Sequence, residues 1–273
     1  MANDPESSTP KPPKVKIGKS AVTASGMTSV NHHKSIQITV PKTTACSWVP
    51  YKSGVIFCET RNAIGPAMSE KVFRIFVLME WVLATQNLHK VKEIIAALPA
   101  DYMVSTARDK GILESLPESG GTLEQNAIQK ATYLYDRLGG FVLSDDSGLE
   151  VEYLSGAPGV YSARYAGEAT SDRLNREKLL VELGTTANRR AQFRTVLACC
   201  TPNGVELFEG VVLGHIAYVE KGKNGFGYDS IFIPSEGDGR TFAEMSFDEK
   251  QSLSHRRRAV DRWRASMDLT DGN

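Results

Sequence analysis

The sequence predicts an α/β protein: a mixed central β-sheet flanked by helices. Three observations carry this. Short apolar runs such as Trp81-Val82-Leu83-Ala84 and Phe141-Val142-Leu143 have strand character. Between and after them lie segments whose apolar residues recur at helical spacing. A Pro202-Asn203-Gly204 turn joins Phe193–Cys200 to Val205–Phe208 as a β-hairpin, which adds antiparallel strands to an otherwise alternating order.

Residues 1–78 read as an extension, either disordered or the product of a mis-assigned start. MANDPESSTPKPPKVKIGKS is rich in Pro, Ser and Lys and lacks apolar periodicity. Strand-like scraps follow at Ile36–Val40 and Gly54–Phe57, without evident partners. Residues 79–273 read as the functional domain, with periodic structure starting near Trp81. Val91, Ile94, Ile95 and Leu98 mark one face of a first helix, which Pro99 ends. A second helix opens at Thr122 with Gln125 three residues on, the pattern of a capping box. Leu123, Ala127, Ala131, Leu134 and Leu138 form its apolar face, and Gly139-Gly140 stops it. Next comes the Phe141 strand, ending in Asp145 and Asp146. Leu174, Leu179, Leu180 and Leu183 mark a third helix up to Gly184. No internal repeat is present.

The chain's 273 residues are 41% hydrophobic and 23% charged, an ordinary globular composition. Its 32 basic and 32 acidic side chains cancel, which argues against a protein that holds nucleic acid through its overall field. The four cysteines lack CxxC spacing and indicate neither a disulfide framework nor a structural zinc site. Val72–Ala84, the longest apolar stretch, is too short and too charged to span a bilayer. The N-terminus fits neither a secretory nor a transit signal, so the expected location is cytoplasmic.

Four stretches could carry chemistry. In Leu83–Lys90 a strand runs through Thr85, Gln86 and Asn87 into a helix start at Leu88, His89 and Lys90, an arrangement that suits an anion; capping explains the same polar residues. In Pro117–Ala131, Glu118 lies in a Gly-rich loop while Lys130 projects from the helix behind it. Glu124 has a sufficient reason to be there in the helix dipole. In Phe141–Leu154, Asp145 and Asp146 stand side by side before Ser147, a costly pairing unless a cation or a water-activating role accounts for it. A solvated Asp-rich turn is the competing reading. Glu118 with Asp146, helped by Asp145, would suit a hard divalent cation. Finally, Lys223–Phe232 presents Phe226 between Gly225 and Gly227, next to Tyr228 and Asp229, and Phe247–Arg258 supplies Lys250, His255 and Arg256. An aromatic face with nearby donors suits a flat heterocycle, and Arg matches the O6 and N7 acceptors of a 6-oxopurine. A turn followed by a solvated basic helix is the alternative, and Arg257, Arg258, Arg262 and Arg264 are read as surface.

With these stretches in view, the chain resembles the inosine triphosphate pyrophosphatase (XTP/dITP diphosphatase) family. The T-x-N-x-x-K loop is Thr85–Lys90, D-D-S-G-L is Asp145–Leu149, and G-A-P-G-x-Y-S-A-R-Y is Gly156–Tyr165. G-F-G-Y-D is Gly225–Asp229 and E-K-x-x-x-S-H-R is Glu249–Arg256, so the motifs run in order across about Glu80–Trp263. Three departures stand out. Gln86 replaces a common Gly and is expected to crowd the phosphate loop. Ser230 replaces a Pro. Residues before Met79 are outside the pattern, and Met79-Glu80-Trp81-Val82-Leu83 looks like a family start.

The resemblance implies two lobes with an active-site cleft between them. It implies Mg²⁺-dependent attack of water on the α-phosphorus of dITP, ITP or XTP, giving the monophosphate and pyrophosphate. Lys90, Lys130 and the helix start around Asn87, in the loop Thr85–Lys90, would hold the polyphosphate, with Ser147 also at the substrate. Glu118 and Asp146 would hold the metal, Asp146 also orienting or deprotonating the water. Phe226, in the Gly227-Tyr228-Asp229 loop, would stack on the purine, while Lys250, His255 and Arg256 donate to O6 and N7. GTP, with its extra 2-amino group, should be rejected about 10–100-fold. The partner is a nucleotide, not nucleic acid or membrane, and the expected assembly is a homodimer. Rival readings are a pyrophosphatase for pyrimidine or methylated nucleotides, a nucleotide sensor without catalysis, and a nucleic-acid binder built on the Arg-rich tail.

Overall fold

The computed structural model describes residues 46–51, 55–62, 71–78, 80–100, 102–168 and 171–269. Strands β1 (Cys46–Tyr51), β2 (Val55–Asn62) and β3 (Lys71–Leu78) form a three-stranded sheet in that order. Of the two strand-like scraps, Val55–Phe57 falls in β2, whereas Ile36–Val40 lies outside the described residues.

A separate six-stranded sheet carries the site. Its strands are β4 (Glu80–Ala84), β5 (Met103–Thr106), β6 (Phe141–Val151), β7 (Arg190–Thr201), β8 (Gly204–Ile216) and β9 (Phe232–Pro234), in the order β5-β4-β6-β7-β8-β9. β4 pairs parallel with β5 and β6, and the remaining pairs are antiparallel. The helices are α1 (Leu88–Ala97), α2 (Leu123–Leu138), α3 (Asp172–Leu183), α4 (Phe247–Leu253) and α5 (His255–Leu269). The expected mixed α/β fold is therefore what forms.

β4 is apolar on both faces because both are covered. Trp81 and Leu83 pack toward α1 and α5, where Trp81 meets Trp263 edge to face at 4.8 Å. Val82 and Ala84 pack toward α2 with Ala127, Ala131 and Leu134. A third core lies at the far ends of β6, β7 and β8, where Leu149, Val151, Phe193 and Val212 meet Leu179 and Leu183 of α3. The long strands thus run from one lobe into the other, and their midpoints lie where the cores change over.

Several local expectations are corrected. The two aspartates do not end a strand: β6 continues through them to Val151, with Asp145 opposite Leu197 and Asp146 opposite Val196. Gly148 permits this, since a Cβ there would lie 2.3 Å from the Gly159 carbonyl oxygen of the crossing 159–164 turn. The hairpin strands run longer than their apolar cores suggested, to Arg190 and Ile216. Thr122 does accept from the Gln125 N–H at 3.2 Å, but the Gln125 side chain accepts from Gly121, not from Thr122. Ile95, Leu138 and Leu174 are exposed.

Candidate active site

The alternation of side chains along a strand resolves the paired aspartates. Neighbouring residues point to opposite faces of a sheet, so Asp145 and Asp146 do not share one environment. Asp145 faces α1 and α5. Its Oδ2 accepts from Arg256 Nε at 3.1 Å and Ser147 Oγ at 2.9 Å, and lies 3.2 Å from Lys90 Nζ. Burial alone would raise its carboxyl, but Lys90 and Arg256 outweigh this and hold it well below the usual range. Asp146 faces α2, where its Oδ1 accepts from Lys130 Nζ at 3.0 Å and its Oδ2 from Asn126 Nδ2 at 3.3 Å. There burial outweighs the pull of Lys130, and the carboxyl is raised.

Lys130 gathers the acidic residues. Its ammonium donates to Glu118 Oε1 at 2.6 Å, to Asp146 Oδ1 at 3.0 Å and to the Asp145 carbonyl at 2.7 Å. Although buried, it is raised, because the charges of Asp146, Glu118 and Asp145 exceed the cost of burial. The Glu118 loop is pinned to α2 by its backbone. The N–H groups of Ser119, Gly120 and Gly121 donate to the side chains of Gln129, Asn126 and Gln125 at 2.8–2.9 Å. One helix thereby fixes both carboxylates.

The Thr85–Lys90 segment follows β4, at the carboxyl end of a parallel strand where α/β sheets place ligands. Asn87 caps α1: its Oδ1 accepts from the His89 and Lys90 N–H groups at 3.0 and 3.2 Å. Two of the N–H groups that could have met an anion are thus already used, leaving Lys90 and the helix dipole as the attraction. Gln86 lines the cleft, and its amide donates to the carbonyls of Glu114 at 2.6 Å and Leu113 at 3.3 Å.

The fourth stretch supplies a buried charge network that sequence reading did not find. Arg256, 1% exposed, donates through Nη1 to Glu93 and through Nη2 to Ser147 Oγ at 3.0 Å, beside its Nε bond to Asp145. Lys250 Nζ lies 2.8 Å from Glu93 Oε1 and 2.5 Å from Asp229 Oδ2. Glu93, on α1, is the hub; burial would raise its carboxyl, but Arg256 and Lys250 prevail and lower it. The one signal available was its place on the helix, three residues after Lys90 on the side of Ile94 and Ala97. Asp229 also accepts the Phe226 N–H at 2.9 Å, so it builds the loop that carries Phe226. Gly225 is required in that loop: its φ is 75°, and a Cβ would lie 2.0 Å from Asp229 Oδ2. Asp172 and Arg176, also unforeseen, hold Gly227 from both sides, each at 2.7 Å.

His255 stacks on Phe193 at 4.8 Å and 10°. Burial, reinforced by Arg256 and Lys250, pushes its imidazole well below the usual range, so it is neutral and offers one donor and one acceptor. Tyr228 is spent on structure, its hydroxyl donating to the Ser162 carbonyl at 2.9 Å.

Many of these groups line one cleft of about 360 Å³, whereas Asp145 and Glu93 lie behind its lining. Its lining includes Thr85, Gln86, Asn87 and Lys90 from the segment after β4, Glu118, Lys130, Asp146 and Ser147, and Phe226–Asp229, Lys250, His255 and Arg256. Leu88 and His89 do not line it: Leu88 is exposed, and His89 stacks on Phe226. Phe193, Ser162 and Arg164 line it without having been expected.

Residues 81–266 match the Ham1 family. The chain belongs to that family. A dITP/XTP pyrophosphatase of Flavobacterium psychrophilum is 46% identical over 182 residues, which is 67% of this chain and 95% of that relative. One from Bacillus licheniformis is 44% identical over 195 residues, 70% of this chain and 99% of the relative. The solved Ham1 protein of Staphylococcus aureus superposes with a TM-score of 0.64 at 42% identity, over 70% of this chain and 98% of that one. Family membership thus agrees with the resemblance carried by the five motifs, and the matched region covers every candidate site residue.

Proposed function

We propose that this Ham1-family chain hydrolyses non-standard purine nucleoside triphosphates (dITP, ITP and XTP) at the α-phosphorus, releasing the monophosphate and pyrophosphate. The observation that carries this reading is the convergence of Glu118 and Asp146 on one buried lysine, beside a basic phosphate loop and opposite a set of base-edge donors. The pyrophosphatase names of the relatives support it.

The residues fit a hard divalent cation, Mg²⁺ in this reading. Two carboxylate oxygens reach one point at Lys130 Nζ, 2.6 and 3.0 Å away, and the Glu118 side chain is partly open to solvent. Such an ion takes one or two carboxylates, with water and phosphate oxygens filling its other positions. When bound, the ion would neutralise charge on the phosphate oxygens. Glu118 and Asp146 would hold it. Lys130 keeps both carboxylates oriented and adds a positive charge, and Lys90 draws the polyphosphate to the end of α1. Asp146 lines the cleft 3.0 Å from Lys130 Nζ and is the carboxylate placed to accept a proton from the attacking water. Phosphoryl chemistry of this kind depends on positioning and charge more than on covalent catalysis.

On the base side, neutral His255 and the unspent donors of Lys250 and Arg256 face acceptors at O6 and N7. Three of the five guanidinium N–H groups of Arg256 are already used on Asp145, Glu93 and Ser147, so it contributes fewer than a free arginine would. Adenine places an amino donor at position 6 and meets donor with donor. ITP, GTP and dTTP turnover with Mg²⁺ and product analysis tests the reading. IMP and pyrophosphate from ITP, with GTP slower by about 10–100-fold, is expected; equal rates on GTP, or orthophosphate as the product, would overturn it.

Residues 79–273 form the pyrophosphatase domain in this reading, with 1–78 an addition to it, and the site of action is the cytoplasm. Among the described residues no helix is long and apolar enough to cross a membrane. The assembly is a homodimer, to which exposed Tyr218 and Val219 offer apolar surface. Light scattering at the monomer mass, 29.9 kDa, would remove that part of the reading.

A further inference from the structure

The position of His89 does not match the role its place in the phosphate-loop motif suggests. It stands between Leu88 and Lys90 at the start of α1, yet it does not line the cleft that Gln86, Asn87 and Lys90 line. Its imidazole lies instead on the Phe226 ring, with centroids 4.9 Å apart and planes 16° apart. Phe226 does line the cleft, as does Lys250, whose ammonium is 4.8 Å from the same ring centroid. Of the two groups against the Phe226 ring, Lys250 lines the cleft and His89 does not.

The Phe226 loop has firm backbone anchors. Asp229 holds the Phe226 N–H, while Asp172 and Arg176 hold Gly227. None of these fixes the ring plane. A face-on aromatic neighbour does, since offset stacking resists tilting of either ring. From this we infer that His89 is a positioning residue for base recognition: it sets the Phe226 ring as a flat platform for a 6-oxopurine and couples the phosphate loop to the base loop across the cleft. It contributes nothing directly to holding phosphate.

This inference rests on the nucleotide-pyrophosphatase reading and can fail separately from it. The test is calorimetric binding of IMP and of pyrophosphate to the full chain without metal, comparing wild type, His89→Gln and His89→Tyr. His89→Gln keeps polarity and removes the ring, so IMP affinity is expected to fall about 5-fold while pyrophosphate affinity holds. His89→Tyr restores a stacking face and should return IMP affinity to within about twofold of wild type. A purely structural role would weaken both ligands together and would not favour an aromatic replacement. Unchanged IMP binding in His89→Gln, a parallel loss of pyrophosphate binding, or no rescue by tyrosine each overturns the inference. A wild-type chain that binds pyrophosphate but not IMP overturns the base-pocket reading and this inference with it.

Discussion

Asp146→Asn is expected to lower ITP turnover by about 10³-fold while ITP still binds. General-base assistance alone is worth roughly 10²–10⁴-fold, and the same change removes one of two carboxylates suited to the cation. The fold should tolerate it. Asparagine is nearly isosteric, and Lys130 keeps Glu118 and the Asp145 carbonyl as acceptors. The measurement is single-turnover hydrolysis beside calorimetric binding of ITP. A variant within about tenfold of wild type would remove Asp146 from the proton-accepting role. A variant that neither binds nor turns over ITP would instead make it a binding residue. Asp145→Asn should behave differently, because Asp145 faces the charge network and not the Lys130 side of the strand.

The second large effect is on stability. Glu93→Gln is expected to destabilise the chain by about 3–5 kcal/mol at neutral pH, the usual cost of leaving a buried charge without its partner. Two cations depend on this one carboxylate, Lys250 at 2.8 Å and Arg256 through Nη1. Each keeps a second acid, Asp229 and Asp145 respectively, which places the expected loss toward the lower end. The pH dependence follows from the lowered carboxyl of Glu93. An acid whose folded pKa lies below its unfolded value, about 4.3, stabilises the fold fully above that pH. That stabilisation disappears as pH falls through the unfolded value toward the lower folded one. Urea unfolding between pH 7 and pH 3 should therefore show wild type losing stability steeply at the acid end and Glu93→Gln starting lower with a flatter curve. Parallel curves would show that Glu93 is not the coupled group. Because Lys250 and Arg256 also face the base pocket, the variant should bind IMP more weakly even where it remains folded.

Elements with a local cause were legible in the sequence. α1 ends where Pro99 approaches, α2 begins at the Thr122 cap, and the hairpin turns at Pro202-Asn203. Candidate groups were legible where residue type suggests a role: a lysine at a helix start, carboxylates in a loop and a strand, an aromatic between glycines, and these line one cleft. Sequence by itself therefore determined the fold class, the family and most of the groups that line the cleft. It did not determine which group meets which, because that depends on strand register and on contacts between residues far apart in the chain. Asp145 and Asp146 look like one cluster in sequence, yet the two-residue period of β6 sends one to Arg256, 111 positions away, and the other to Lys130. Glu93 looks like an ordinary helical glutamate until Arg256, 163 positions on, is packed against it. His89 stands in the Thr85–Lys90 motif, yet its ring lies against Phe226 of a distant loop. Only the tertiary structure decided these three, because a charge or ring takes its role from its neighbours, and those neighbours are assembled by the packing of the two lobes.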